Sequence, residues 1–288
     1  MILTYTSSAG VVFDLLSFDG LKTESANYHK YTWDRNTSAR QFGERLNYFT
    51  KNAQIYSATF LFRGSKASRK AKIDSFHFET ERDIVNESPG KITWGSHYIE
   101  CFIVSSSTEP RDDGGVYTEN EVEIYCPYPF WIEEKSISIR PTDTDNPHIQ
   151  TDKGYPSSRS FAYGYPYSYS VDKNAVVFQL GEHYASSNFK MVCWGPASGI
   201  SINIGGNLYK VDYAIRANQY MVIDSRPLTP ANRRAYVVSE SGIITNVYDY
   251  RDPDYELFKP IPGGNVIINY SRSYGIDLTV YLERSEPK

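Results

Sequence analysis

The chain has 288 residues and a formal net charge of −4. That length suits two domains and buries about three quarters of the unfolded surface without staples. The charge excludes a dedicated DNA binder and a protein held on anionic membranes. Tyrosine is the outlier, with 25 Tyr and 14 Phe in a chain only 40% hydrophobic. Such rings suit half-buried strand faces and interfaces, where the ring is dry and the hydroxyl wet. Cys101, Cys126 and Cys193 are odd in number and widely spaced. Cys101 and Cys126 fall on apolar strand faces, so buried free thiols and a reducing compartment of synthesis are expected. Residues 1–6 lack a basic region and Asp14 interrupts the apolar run of residues 11–16. Neither a signal peptide nor a spanning helix is expected, and the protein reads as soluble in a cytoplasm.

Residues 59–64, Thr-Phe-Leu-Phe-Arg-Gly, read as a short strand ending at a glycine. Residues 65–84 read as the one convincing helix, with Ile73, Phe76, His77, Thr80 and Ile84 along one stripe. Ser65 or Ser68 can cap its start, and Pro89-Gly90 prevents continuation. Phe78 lies off the stripe, which requires either cover on two sides or a shifted register. The charges run basic first (Arg63, Lys66, Arg69, Lys70, Lys72) and acidic later (Glu79, Glu81, Asp83). This order opposes the helix dipole. It marks either a solvated helix start or a stretch that answers to a partner.

Two strands follow at once, residues 91–94 and 97–105, joined by Gly95-Ser96 in the pattern of a type II′ turn. A further strand at 117–126 alternates sharply. Val122, Ile124 and Cys126 point one way, and Glu119, Glu121 and Glu123 the other. It closes on Pro-Tyr-Pro-Phe-Trp, where two prolines deny a ladder its donors. From Arg140 the texture changes to a polar loop and then to Tyr163-Gly164-Tyr165-Pro166-Tyr167-Ser168-Tyr169. This reads as an extended connector over residues 140–174 that separates a domain at 1–139 from one at 175–288. Beyond it come short strands with turn punctuation: a hairpin across Gly205-Gly206-Asn207, strands at 220–224, 235–238 and 243–248, and a last hairpin at 266–282. Repeated strands without helical intervals predict an antiparallel sandwich or barrel. The fold class is therefore mainly β, with one α-helix in the N-terminal domain and a C-terminal antiparallel β-sandwich.

The order of Phe-Arg-Gly, a charged helix, Ser-Pro-Gly, a Trp-Gly-Ser hairpin running into Tyr-Ile-Glu-Cys-Phe-Ile, and an acidic strand closing on Pro-Tyr-Pro-Phe-Trp resembles the distal tail proteins of long-tailed phages (siphoviruses) and prophages of Gram-positive bacteria. The resemblance runs on through Gly205-Gly206-Asn207-Leu208-Tyr209, residues 221–224, Pro262-Gly263-Gly264-Asn265 and residues 277–284. It implies a virion structural protein at the tail tip, or baseplate, assembled in the host cytoplasm. Residues 1–139 would form a hexameric ring continuing the tail tube, and residues 175–288 a galectin-like sandwich projecting outward. The implied partners are further copies of the chain, the tail tube protein, the tip hub or tail-associated lysin, receptor-binding proteins and the tape measure protein. DNA would only pass through the lumen, with no membrane insertion, cofactor or catalytic residue. The acidic face of Glu119, Glu121 and Glu123 is then expected to line that lumen, where like charge keeps exiting DNA from sticking.

Two other readings stay open. A carbohydrate-binding module would recognise host cell-wall glycan through Trp194 and Tyr163 to Tyr169. A tail-associated hydrolase would use the glutamates, whose Cα atoms lie roughly 7 Å apart along the strand. The latter needs one carboxyl of raised pKa, which a polar strand face does not favour. His29, His77, His97, His148 and His183 are scattered without ligand spacing. The Asp-rich loops at 143–146 and 249–254 lack the order of a calcium loop and read as turns.

Overall fold

The computed structural model describes residues 2–18, 20–109, 117–141, 175–227 and 229–288. Of the expected connector, residues 142–174 lie outside them, and so does the Tyr163–Tyr169 run. The described chain is mainly β with one α-helix, and it divides into two compact units. One is Met1–Glu133 with Glu283–Lys288, the other Glu134–Leu282.

The first unit holds β1 (Leu3–Thr6), β2 (Val12–Asp14), β3 (Leu21–Ala26), β4 (Asp34–Ala39), β5 (Glu44–Thr50), β6 (Gln54–Arg63), α1 (Lys66–Val85), β7 (Gly90–Trp94), β8 (His97–Glu109) and β9 (Tyr117–Cys126). β8 is the hinge of the arrangement. Its first residues pair with β7, which continues to β1 and β2; its later ones pair with β9, which continues to β6 and β3. The register slips between Ile103 and Ser105, leaving Val104 as a bulge. Cys101 and Ile103 point inward before the slip, and Ser106 and Thr108 after it, so one extra residue exchanges the two faces. The strand also runs four residues beyond the predicted end at 105.

Phe76 of α1 fills the centre, edge-on to Tyr5, Phe13, Phe60 and Phe62 with ring centroids 5.3–5.9 Å apart. Ser65 caps the helix, its Oγ accepting from Ser68 N. The predicted stripe is corrected in part. Phe76 and Thr80 are buried, but Ile84 is 43% exposed, and Glu79 and Asp83 take the inner side. The reason is a set of donors brought by the N-terminal segment. Asp83 accepts from Tyr5 Oη (2.5 Å), Ser8 N (2.9 Å) and Ser8 Oγ (2.6 Å), and Glu79 accepts from Ser7 Oγ (2.8 Å). A carboxylate with several donors tolerates burial that an isolated one does not. Burial and the Asp83 hydrogen bond push the Tyr5 hydroxyl far above its ordinary pKa, so it stays a donor. Gly90 completes the fit: a Cβ there would lie 2.6 Å from Tyr5 Oη and 2.8 Å from Asp83 Oδ2. The reversed charge order along the helix is thus explained at its acidic end by burial against β1.

The second unit begins within β10 (Trp131–Ile139) and adds β11 (Ala175–Gln179), β12 (Asn188–Trp194), β13 (Ile200–Ile204), β14 (Asn207–Val211), β15 (Tyr220–Asp224), β16 (Ala235–Val238), β17 (Ile244–Asn246), β18 (Asn265–Tyr270) and β19 (Gly275–Arg284). One sheet runs β10-β19-β12-β15-β16-β17 and the other β11-β18-β13-β14. Alternate residues of each, among them Phe189, Met191, Met221, Ile223, Leu278 and Val280 facing Val176, Ile202, Ile204 and Ile268, form one buried core. This is an antiparallel sandwich. The predicted hairpin turns at Gly205-Gly206, and the predicted strands 220–224 and 235–238 keep their bounds. All three cysteines are free and buried. Burial raises the Cys193 thiol; the contact with Cys126, then burial, raises that of Cys101.

Replacing Asp83 by alanine strands the buried Tyr5 hydroxyl, at about 1–3 kcal/mol, and removes the two part-buried bonds from Ser8. Urea unfolding of Asp83→Ala is expected to show a loss of about 3 kcal/mol. Glu81→Ala, on the outer side of the same helix, is expected to stay within about 0.5 kcal/mol of the parent.

Candidate functional site

The acidic row lies in the middle of the sheet β3-β6-β9-β8, on its outer face. Glu123 stands between Ser57 of β6 and Ser105 of β8, and Glu121 between Thr59 and Ser107. Ser25 of β3 extends the row beyond Thr59. Glu121 and Glu123 are exposed, and Glu119 is half-buried. The bulge at Val104 brings Ser105 and Ser107 to this side. The outcome is a carpet of short hydroxyls with carboxylates standing above it. Glu119 also faces Glu109 directly across β8. Like charges paired across strands destabilise a sheet, so this face is not tuned for the subunit's own stability. Beneath it, on the inner side, Asn120 is buried and lies 3.1 Å from His77 Nε2, with Ser106 Oγ donating to Asn120 Oδ1 at 2.8 Å.

At the basic end of α1, Arg69 Nη1 donates to Gly64 O and Lys72 Nζ to Arg63 O, both at 3.2 Å. Two of its cations thereby cap the end of β6. Among the described residues no three His, Cys, Asp or Glu side chains group as a metal site.

A surface that the sequence reading passes over is the two-stranded sheet β4–β5. Its residues are exposed throughout except the half-buried Thr37. Within the pair, Asn47 Nδ2 donates to Asn36 Oδ1 (3.0 Å) and Ser38 Oγ (2.8 Å). Phe42 at the turn is 89% exposed, and Leu46, Tyr48 and Phe49 are each about half exposed. A lone hairpin is marginal in water, and it offers free edges with apolar side chains beside them.

Its foot is tied down by a caged cation. Lys51 Nζ, just past β5, sits 4.3 Å from the centroid of Phe130, 5.6 Å from Trp33 and 6.0 Å from Tyr31. Tyr31 and Trp33 precede β4; Phe130 comes from the Pro-Tyr-Pro-Phe segment, whose prolines keep it out of any ladder. Among the described residues the ammonium has no hydrogen-bond partner. Ring faces favour the cation, but burial disfavours it more and pulls Lys51 down to about 8.

In the second unit Trp194, at the end of β12, is 45% exposed. Its Nε1 donates to Asp277 Oδ2 at 2.6 Å, and its ring lies 5.1 Å from that of Tyr220. Of the two aromatic features proposed for glycan recognition, Trp194 is thus at the surface, while the Tyr163–Tyr169 run lies outside the described residues.

No family model and no curated protein matches the chain. Solved structures do. The fold is similar to that of SPP1 Dit (gp 19.1), described as a paradigm of the hub adsorption apparatus in phages infecting Gram-positive bacteria. That likeness has a TM-score of 0.61 at 11% identity, over 97% of this chain and 98% of that one. A chain of the phage p2 baseplate in its activated conformation with Sr gives 0.62 at 10% identity, over 100% of both chains. The same baseplate with Ca gives 0.60, also at 10% identity and over 100% of both. The fold that the resemblance implies is the fold observed.

Lys51 titrates near 8 in the folded chain and near 10.5 when unfolded. Between those values the unfolded chain holds more protons, so stability rises with pH. Parent minus Lys51→Met, by urea unfolding from pH 7.5 to 9.5, is expected to grow by less than about 1 kcal/mol per pH unit, since water screens a half-exposed group. Lys51→Ala is expected to speed hydrogen exchange across residues 34–50 by about tenfold, a local loosening of about 1.4 kcal/mol.

Proposed function

We propose that this chain is an architectural protein of a phage or prophage tail tip, working by shape and self-association and not by bond-making. The observation that carries the reading is the likeness in fold to SPP1 Dit and the p2 baseplate chain over nearly the whole length of each. Fold alone does not fix function, and the surfaces add to it. Six copies close into a ring through residues 1–139, with the bare arm β4–β5 as the contact that a neighbouring copy covers. A closed ring supplies every such edge with a partner and leaves none to propagate.

In this reading the ring joins the tail tube protein to the tip hub or tail-associated lysin. The tape measure protein and receptor-binding proteins meet it at the same level, and assembly takes place in the host cytoplasm. Residues 140–174 connect the ring to residues 175–288, which are left to meet partners outside it. Glu119, Glu121 and Glu123 line the lumen. An open face of carboxylates above short hydroxyls, with no cation among the described residues that flank Glu121 and Glu123, offers DNA repulsion, which suits a channel that must not hold what passes through it.

Negative-stain imaging and light scattering of the chain co-expressed with its tube and hub neighbours are expected to show a six-fold annulus. Tyr48→Glu combined with Phe49→Glu is expected to abolish it while circular dichroism stays unchanged. Material that stays monomeric beside both neighbours sinks the ring. A ring structure with the three glutamates on its outer wall removes the lumen assignment alone.

A further inference from the structure

We infer that the second unit carries a preformed cleft for an uncharged saccharide at the ends of β12, β15 and β16. This stands apart from the ring, since a monomer would carry the same cleft.

The register builds the platform. Trp194 pairs with Tyr220, and Tyr220 with Val238, so the three side chains form one row across three strands. They stand on the face opposite the core, which takes Cys193, Met221 and Val237 instead. Trp194 is held in place, its Nε1 donating to the Asp277 carboxylate, which sits on the neighbouring strand 83 positions away. A charge-assisted bond at 2.6 Å fixes the indole before any ligand arrives. Its exposed face is then offered at little cost in side-chain freedom.

Two turns make the rim of an open cleft of about 550 Å³, within the range of small-molecule sites. One carries Asn218 and Gln219, the other Ser239 and Glu240. Each is closed by its own backbone bond, Gln219 N to Arg216 O at 3.2 Å and Gly242 N to Ser239 O at 2.9 Å. Gly195 lets the first turn come close. A Cβ at that position would lie 2.1 Å from Arg216 O, and Gly195 N donates to Gln219 O at 2.9 Å. The Gln219 side chain is oriented as well: its Oε1 accepts from Arg216 N at 3.1 Å, leaving the amide nitrogen with two protons to offer elsewhere.

The combination selects the ligand class. A sugar ring has an apolar C–H face and a belt of hydroxyls that both donate and accept. The Trp194 and Tyr220 rings match the face; Asn218, Gln219, Ser239 and Glu240 match the belt. Among the described residues, the cleft's lining includes one carboxylate and no cation. A phosphate-bearing polymer would need Arg or Lys there, so a neutral hexose or N-acetylhexosamine unit fits better.

Titration of the full chain with neutral oligosaccharides of glucose, galactose, rhamnose and N-acetylglucosamine, and with deproteinated Gram-positive wall polysaccharide, tests this. Each would be followed at the indole N–H resonance that Trp194→Phe removes. At least one probe is expected to shift that resonance below about 5 mM, a weak single-site affinity. Trp194→Ala, which loses the reporting indole and is therefore followed by ligand-observed NMR, and Gln219→Ala are each expected to weaken binding at least tenfold. Tyr184→Ala, at a residue 95% exposed in the same unit but outside the cleft lining, is expected to leave it unchanged. If Trp194→Ala fails to fold, Gln219→Ala decides. Binding by none of the probes, or binding that both cleft variants retain, overturns the inference. So does a tail protein that shields the Trp194 resonance when no sugar does, which makes the surface a protein contact.

Discussion

One strand belongs to two sheets, and the first unit is organised around it. β8 is long enough to pair with β7 at one end and β9 at the other, and its single bulge exchanges inner and outer residues between them. Without the bulge, the side chains beyond Val104 would keep the earlier parity. Ser106 would then face out, and the contact between Asn120, Ser106 and His77 would be lost. Ser105 and Ser107 would turn inward, away from the acidic row. The polar face and the packing beneath α1 are therefore two readings of one register.

A second constraint acts on polar groups. The helix buries two carboxylates where an apolar stripe would be conventional, and each meets donors from the N-terminal segment. Burial of this kind is costly unless the donors are in place. It therefore specifies where β1 and the following turn must lie, more sharply than apolar packing does. The same chain leaves an opposite extreme in the open: aromatic rings on β5 that stay about half exposed among the described residues. The polar groups of the helix are thus satisfied inside, while apolar ones on the hairpin stand outside.

Much of this was legible in the sequence wherever alternation was strong. β9, β15 and β16 keep their predicted bounds, and the Gly95-Ser96 hairpin sits where its turn chemistry put it. The acidic row was readable because the period of two is local. Four things were not. Asp83 and Glu79 break the apolar template for a helix face, and only donors some 75 residues away explain them. The arm β4–β5 has Asp, Arg, Asn, Thr and Ser in its first strand, with no half-buried face to give alternation. The cage of Lys51 joins residues 31, 33, 51 and 130, and Asp277 reaches Trp194 from the far side of the sandwich sequence. Long-range pairing of this kind leaves no period to detect.

The caged foot of the arm bears on mechanics. Tension along β4 and β5 meets a ladder of backbone bonds lying crosswise to the pull, all strained together, so the arm itself hardly stretches. Give is concentrated where the two strands enter the body, and there the side-chain holds are few: one ammonium among three rings, and the Asn52 amide donating to Asp34 Oδ2 at 2.6 Å. A neighbour gripping the arm would find it stiff in length and compliant in direction.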